Sequence, residues 1–380
     1  MISEQVRRDT SAGAAISRAI IAFHQDDEQH WVADLACGHT QHVRHDPPWQ
    51  NRPWAITESG RAQFLGTSLE CVKCVQERGT THEMLVVTPY RLDLTVSALR
   101  RLPSNLVDVY TADGRYLRAS NDAGTSTITC VTQTHEGALA VRVVGGASTE
   151  VALARVRRML GTDLELDAFY KQAAQVGWLA PLVHRMRGIK PPRYPSLWEA
   201  CVNAIVFQQI SLHAASSIMR RLIEALGGQA VYDGIPLAVF PDLERFLRAP
   251  DATLRAAGLS AGKLSTLQRA ARAIVADALN EERLQTQATA DAALLLRNIK
   301  GIGPWTAAVI LLRGLGRLDA FPGNDSGVAA NLALVAGQPL DAAAIADALG
   351  SQRGMLYFCL LLARLESRGE IGKASDVSLK

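Results

Sequence analysis

Two stretches carry residue types whose spacing could do chemistry. In Lys300-Gly301-Ile302-Gly303-Pro304-Trp305, two glycines precede a proline and a long apolar run, AAVILL, follows. Proline suits the first turn of a helix, where its missing N–H costs nothing. Glycines just before a helix start let a ligand approach the backbone, with unpaired amides and the helix dipole facing it. That is an anion site, and a DNA phosphate fits it without any side chain. On Gly-Ile-Gly alone, an ordinary corner between two helices is the better reading. Twenty-two residues after Gly303, the loop Phe321-Pro322-Gly323-Asn324-Asp325 ends on a carboxylate, and Asp319 stands six residues before it.

The second stretch is split. Cys37-Gly38-His39 lies near the N-terminus, and Cys71-x-x-Cys74 begins 34 residues after Cys37. C-x-H paired with C-x-x-C offers four soft or borderline ligands on two tight turns, a set that suits tetrahedral zinc. His42 is the alternate to His39, and His45 adds to the crowding. The His42-Val43-Arg44-His45 run reads either as a basic face for phosphate or as solvated surface. The six cysteines are too few for a disulfide framework in 380 residues. Cys130, Cys201 and Cys359 sit among apolar neighbours and read as buried, inert thiols.

The elements that must position these groups fall into three zones. Residues 1–80 are rich in His, Trp, Pro and Cys and too poor in apolar residues for a good core, so a structural metal would help. Residues 83–175 alternate with period two. Asp113-Gly114 between two such runs signals a type I′ hairpin, and Glu136-Gly137 repeats the pattern. A helix then runs from Ser148 or Thr149 to Gly161, making this zone α+β with an antiparallel sheet. From residue 176 to 380 the pattern is helical throughout. Ser196-x-x-Glu199 reads as a capping box, and Ser211 caps the helix after the break at Gln208-Gln209. The fold class expected is therefore multidomain: a small Cys/His-rich domain, an α+β domain and an all-α domain.

Net charge is only +3, so nucleic-acid binding must come from local patches and backbone amides. Apolar runs are broken by Arg well short of a membrane span, and the N-terminus lacks the apolar core of a signal peptide. These features predict a cytoplasmic protein with no membrane partner.

"L-x-x-IKGIGPWTA" followed by the loop ending at Asp325 resembles the helix-hairpin-helix DNA glycosylase superfamily. "YPSLWEACVNAIVFQQIS" and "LRAAGLSAGKLSTLQRAARAI" are similar to its bacterial 3-methyladenine DNA glycosylase II branch, over about residues 83–372. The resemblance implies double-stranded DNA containing alkylated bases as the partner. It implies excision of a flipped alkylated purine that leaves an abasic site, with no cofactor needed for catalysis. By position Asp325 is the catalytic carboxylate, and Asp319 is structural. Such a base is already cationic and leaves readily; a carboxylate near the sugar can stabilise positive charge there or direct water. Trp305 falls at a pocket position, where its ring face would attract a cationic base; packing of the hairpin core is an equal alternative. Members that cut the strand carry a Schiff-base lysine there, and an indole forms no imine. Gly301, Gly303, Thr306, Gln208 and Gln209 fall at DNA-contacting positions. Gln208-Gln209 fills the gap left by the flipped base, although the branch often has an apolar residue in place of Gln209; two amides capping a turn is as good a reading. The four clustered cysteines of an iron–sulfur branch are missing near the C-terminus. Residues 1–80 resemble a small uncharacterised family with the run CGHxQHVRHxPPW, which supplies no function. Two other functions stay open: a non-catalytic hairpin module that only grips DNA, or a glycosylase for a different damaged base.

Overall fold

The computed structural model describes residues 17–43, 52–71, 74, 79–122, 124–145, 148–323 and 326–372. The chain divides into two compact units. One comprises residues 1–82 with 142–146, and the other residues 83–141 with 147–380.

In the first unit, strands β1 (Ser17–Gln25), β2 (Trp31–Leu35), β3 (Thr40–His42) and β4 (Ser68–Glu70) form an antiparallel sheet in the order β3-β2-β1-β4. Helix α1 (Glu58–Phe64) is capped by the Thr57 hydroxyl, which accepts from the Gly60 N–H. The core is small: Ile20, Ala33, Leu35, Val43, Ala55, Cys71 and Cys74 are buried. Trp54 covers it, stacked on Phe64 at 3.9 Å and nearly parallel. So few apolar side chains leave such a unit marginal unless something staples it.

The second unit holds β6 (Val109–Tyr110), β7 (Arg115–Asp122), β8 (Thr125–His135), β10 (Gly228–Tyr232) and β11 (Ile235–Val239) of a mixed sheet, with residues 83–85 of β5 (Thr80–Leu85) and 138–141 of β9 (Ala138–Gly145). Its order is β10-β11-β7-β8-β9-β5, with β6 on β7. The hairpin at Asp113-Gly114 forms, but not as a type I′ turn. Only Gly114 takes positive φ (83°), because the Thr111 hydroxyl accepts from the Arg115 N–H and widens the loop. The expectation of helix throughout from residue 176 also fails once. Residues 228–239 form the β10–β11 hairpin, and β11 joins β7 in parallel at Val239 and Ala119.

The helices are α2 (Leu92–Arg100), α3 (Thr149–Leu160), α4 (Asp167–Ala173), α5 (Ala180–Arg185), α6 (Leu197–Val206), α7 (Leu212–Leu226), α8 (Leu243–Arg248) and α9 (Asp251–Ala256). After them come α10 (Ala261–Val275), α11 (Glu281–Thr286), α12 (Thr289–Arg297), α13 (Pro304–Leu315), α14 (Ser326–Ala336), α15 (Ala342–Ala348) and α16 (Gly354–Ser367). Helix α3 ends on left-handed Gly161, as its sequence predicts. Ser196 and Ser211 cap α6 and α7 by accepting from the Glu199 and Ala214 N–H groups. Glu199 does not return the bond of a capping box. Its carboxylate meets Arg118 at 2.6 Å, and Arg118 also holds Asp108 at 2.6 Å, all three buried. This ion triad ties β7 to α6, the helix that leads to Gln208. Among the described residues, no helix is long and apolar enough to cross a membrane.

Candidate nucleic-acid interface and candidate metal centre

Helices α12 and α13 form the hairpin, and its two glycines do different work. Gly301 has φ +103°, and a Cβ there would lie 2.0 Å from Thr266 Oγ1 on α10. Both conformation and packing demand glycine. Arg269, one turn along α10, donates from Nε to the Lys300 carbonyl at 2.8 Å and fixes the turn. Gly303 is the N-cap of α13, with extended backbone (φ −87°, ψ −179°) and no side-chain cap. A Cβ there would meet nothing within 4 Å. The open helix start that suits an anion is therefore at Gly303, while Gly301 serves the packing.

The corner between α6 and α7 is stitched to this hairpin. Gln208 Nε2 donates to the Gly301 carbonyl at 3.0 Å and to Thr306 Oγ1 at 2.7 Å. Thr306 is buried, so its hydroxyl faces Gln208 inside the protein. Lys263 Nζ donates to the Val206 carbonyl at 2.7 Å and completes the end of α6. The next residue, Gln209, is exposed with φ 53°, a left-handed conformation rare for a residue with a side chain. Ile210 beside it is 38% exposed, an apolar side chain at the tip of the corner. Trp305 is partly exposed in the first turn of α13. Thr266, Arg269 and Lys263 were not legible as parts of this interface. Their only signal is helical spacing on one face of α10.

Helix α13 ends at left-handed Gly316. The following loop is held by Arg353 Nε on the Asp319 carbonyl at 2.7 Å and by the Gly354 N–H on the Leu318 carbonyl at 2.6 Å. Asp319 thus takes part through its backbone. Asp325 lies outside the described residues, which end at Gly323 and resume with α14 at Ser326.

In the first unit, Cys37, His39, Cys71 and Cys74 come together, with ligand atoms all within 4.8 Å of one another. Cys37 Sγ is 3.8 Å from Cys71 Sγ, and His39 Nδ1 is 3.5 Å from both Cys71 Sγ and Cys74 Sγ. Zinc bonds of about 2.3 Å to sulfur and about 2.0 Å to nitrogen give tetrahedral edges of about 3.8 and 3.5 Å. The donor set and its spacing fit the metal, whereas the sulfurs are much too far apart for disulfides. His42, the alternate, is outside this group and points Nδ1 at Asp26, 3.5 Å away. Burial pushes the Cys74 thiol up to about 11 against the pull of Arg18. Burial also raises Cys37, but bonds from the His39 N–H, Cys74 and Cys71 outweigh it and bring it to about 7. Cys130, Cys201 and Cys359 are buried, in keeping with inert thiols.

Residues 202–338 match the family described as HhH-GPD superfamily base excision DNA repair protein. They form an HhH-GPD superfamily domain. The HhH-GPD domain starts within α6 and ends just after α14, so it includes the glutamine corner, the hairpin and Asp325. Residues 21–78 match a second family, described as protein of unknown function (DUF3565). A DNA-3-methyladenine glycosylase of Bacillus subtilis is 32% identical over 166 residues, 44% of this chain and 55% of that protein. A probable bifunctional transcriptional activator/DNA repair enzyme AlkA of Mycobacterium tuberculosis is 35% identical over 182 residues, 47% of this chain and 35% of that one. The chain thus spans about half and about a third of the length of these curated relatives. A 3-methyladenine DNA-glycosylase from Archaeoglobus fulgidus shares the fold, with TM-score 0.63 and 24% identity over 74% of this chain and 98% of that one.

Proposed function

We propose that the protein is a monofunctional DNA glycosylase of the cytoplasm that flips an alkylated purine out of duplex DNA and hydrolyses its N-glycosidic bond. The observation that carries this reading is the corner-plus-hairpin geometry. An uncapped helix start at Gly303 is coupled through Gln208 to an exposed, left-handed corner at Gln209. A phosphate on the α13 amides would anchor the strand, while Gln209, with Ile210 beside it, enters the space left by the flipped nucleotide. Trp305, at the first turn of α13, supplies a ring face for the extruded base. Asp325 acts on the sugar, either stabilising its developing positive charge or directing water. No amine stands at position 305 to form an imine, so the product is an intact abasic strand.

For residues 21–78 we propose a structural zinc held by Cys37, His39, Cys71 and Cys74. A closed four-ligand site has no open position for chemistry, so its contribution is folding. The test of the main reading is base release from methylated duplex DNA, with strand cutting scored before and after alkali. Release of purine bases with nicking only after alkali supports it. Nicking without alkali contradicts the monofunctional mechanism, and DNA binding without any release reduces the chain to a gripping module.

A further inference from the structure

The three sulfurs of the cysteine–histidine cluster each accept an N–H group, and two of these donors are backbone. The Cys74 N–H donates to Cys71 Sγ at 3.2 Å, and the His39 N–H donates to Cys37 Sγ. Both bonds come from the folding-back of C-x-x-C and C-x-H, so any chain with these turns can make them. Cys74 ends its motif. Among the described residues, its Sγ takes an N–H from a side chain instead, the guanidinium of Arg18, which also reaches Cys37. Strand β1 brings Arg18 there from two directions. Arg18 pairs with Leu69 of β4, two residues before Cys71. The Ala36 N–H donates to the Ala19 carbonyl at 2.8 Å, which draws the Cys37 turn against the same stretch of β1. The guanidinium thus stands where the two ligand turns meet, on an exposed residue whose electrostatic partners are the cluster's own sulfurs.

We propose that Arg18 is a positioning residue of the metal centre, holding Cys74 in place and offsetting the charge of the ligand set, and so setting how tightly zinc is bound. The proposal rests on the zinc reading above. Three thiolates and one neutral imidazole around Zn²⁺ leave one negative charge uncompensated. A cation against the sulfurs stabilises that charge, and its N–H fixes the direction in which the Cys74 lone pairs point. Arginine suits the task because its guanidinium stays protonated and is less strongly hydrated than an ammonium. Partners of metal ligands are worth about 10–100-fold in affinity, and the solvent around Arg18 puts its share at the low end.

The test is competition for zinc between the full-length protein and a chromogenic chelator at low ionic strength. Arg18→Met should hold zinc about 10-fold more weakly than the parent, and the gap should narrow as salt screens the charge. Arg18→Lys keeps the charge but not the planar fork, and should lose less. Cobalt(II) in place of zinc gives a readout that a merely structural role would not produce. The sulfur-to-cobalt charge-transfer band should shift in Arg18→Met, while the d–d bands of the tetrahedral ion stay as in the parent. Zinc affinity of Arg18→Met within a factor of about two of the parent overturns the proposal. So does an equal loss in Arg18→Lys, and so do altered d–d bands, which would mean that Arg18 only shapes the turns. If Arg18→Met does not fold even with excess zinc, Arg18→Gln, which also lacks the charge, carries the test under the same limits. A parent that binds no zinc defeats the zinc reading itself, an outcome distinct from unchanged affinity in the variant.

Discussion

The two units solve the problem of holding a site by opposite means. In the first, four ligand side chains from two turns converge within a core so small that the cluster is itself much of the interior. In the second, the candidate interface sits on helix ends, positioned by a large core and by side chains that reach across to backbone carbonyls, such as Arg269 to Lys300 and Lys263 to Val206. On the zinc proposal, the site of the first unit holds its fold, whereas in the second the fold holds the candidate interface. Damage to the cluster should therefore be global for its unit, and damage to the interface should be local.

The largest effect expected follows from that contrast. Removing metal with a strong chelator, or Cys71→Ser, should unfold residues 21–78. Structural zinc contributes folding free energy on the order of 10 kcal/mol in small domains, and few apolar side chains remain to replace it. Protein prepared without chelator should carry one zinc by metal analysis, and base release by the second unit should persist. A chain that contains no zinc, yet shows the same melting of its first unit, breaks the comparison.

Next in size is the buried triad. Arg118→Met strands Asp108 and Glu199 without their partner, which should destabilise the second unit by about 3–5 kcal/mol in chemical denaturation. Loss below about 1 kcal/mol would mean that water or protonation already relieves those carboxyls. The two hairpin glycines then sharpen the comparison. Gly301→Ala meets both the positive φ and Thr266, and should cost about 2 kcal/mol or more. Gly303→Val has extended backbone and open space, so its cost should be no more than the ~1 kcal/mol of a poorer N-cap, below that of Gly301→Ala. It should instead weaken binding to every duplex alike by about 5-fold, the scale of a helix-terminus contact to phosphate. Unchanged affinity for undamaged duplex in the folded Gly303 variant would remove the hairpin as the anchor.

Much of this arrangement was legible in the sequence because it depends on neighbours in the chain. The capping serines at 196 and 211, the Gly161 terminus and the proline opening α13 all act within one helical turn. The C-x-H and C-x-x-C spacing named the ligand cluster that the fold assembles. What was not legible depends on partners far away. Strand β11 finds β7 about 120 residues earlier in the chain, and nothing local in residues 228–239 announces that partner. The capping box failed in its second half because Glu199 had a stronger distant partner in Arg118. Gly301 and Gly303 look equivalent in sequence, and only Thr266 from another helix separates them.

The central claim, that this fold serves base excision through one carboxylate, is tested most directly by Asp325→Asn under single-turnover conditions on methylated duplex DNA. The substitution keeps size and hydrogen bonding and removes only the charge beside the developing sugar cation. Release of 3-methyladenine should fall about 10²-fold or more, the scale of losing one preorganised electrostatic group. Binding to abasic DNA should persist, and Asp319→Asn should turn over near the parental rate. Excision by Asp325→Asn at the parental rate would contradict the account.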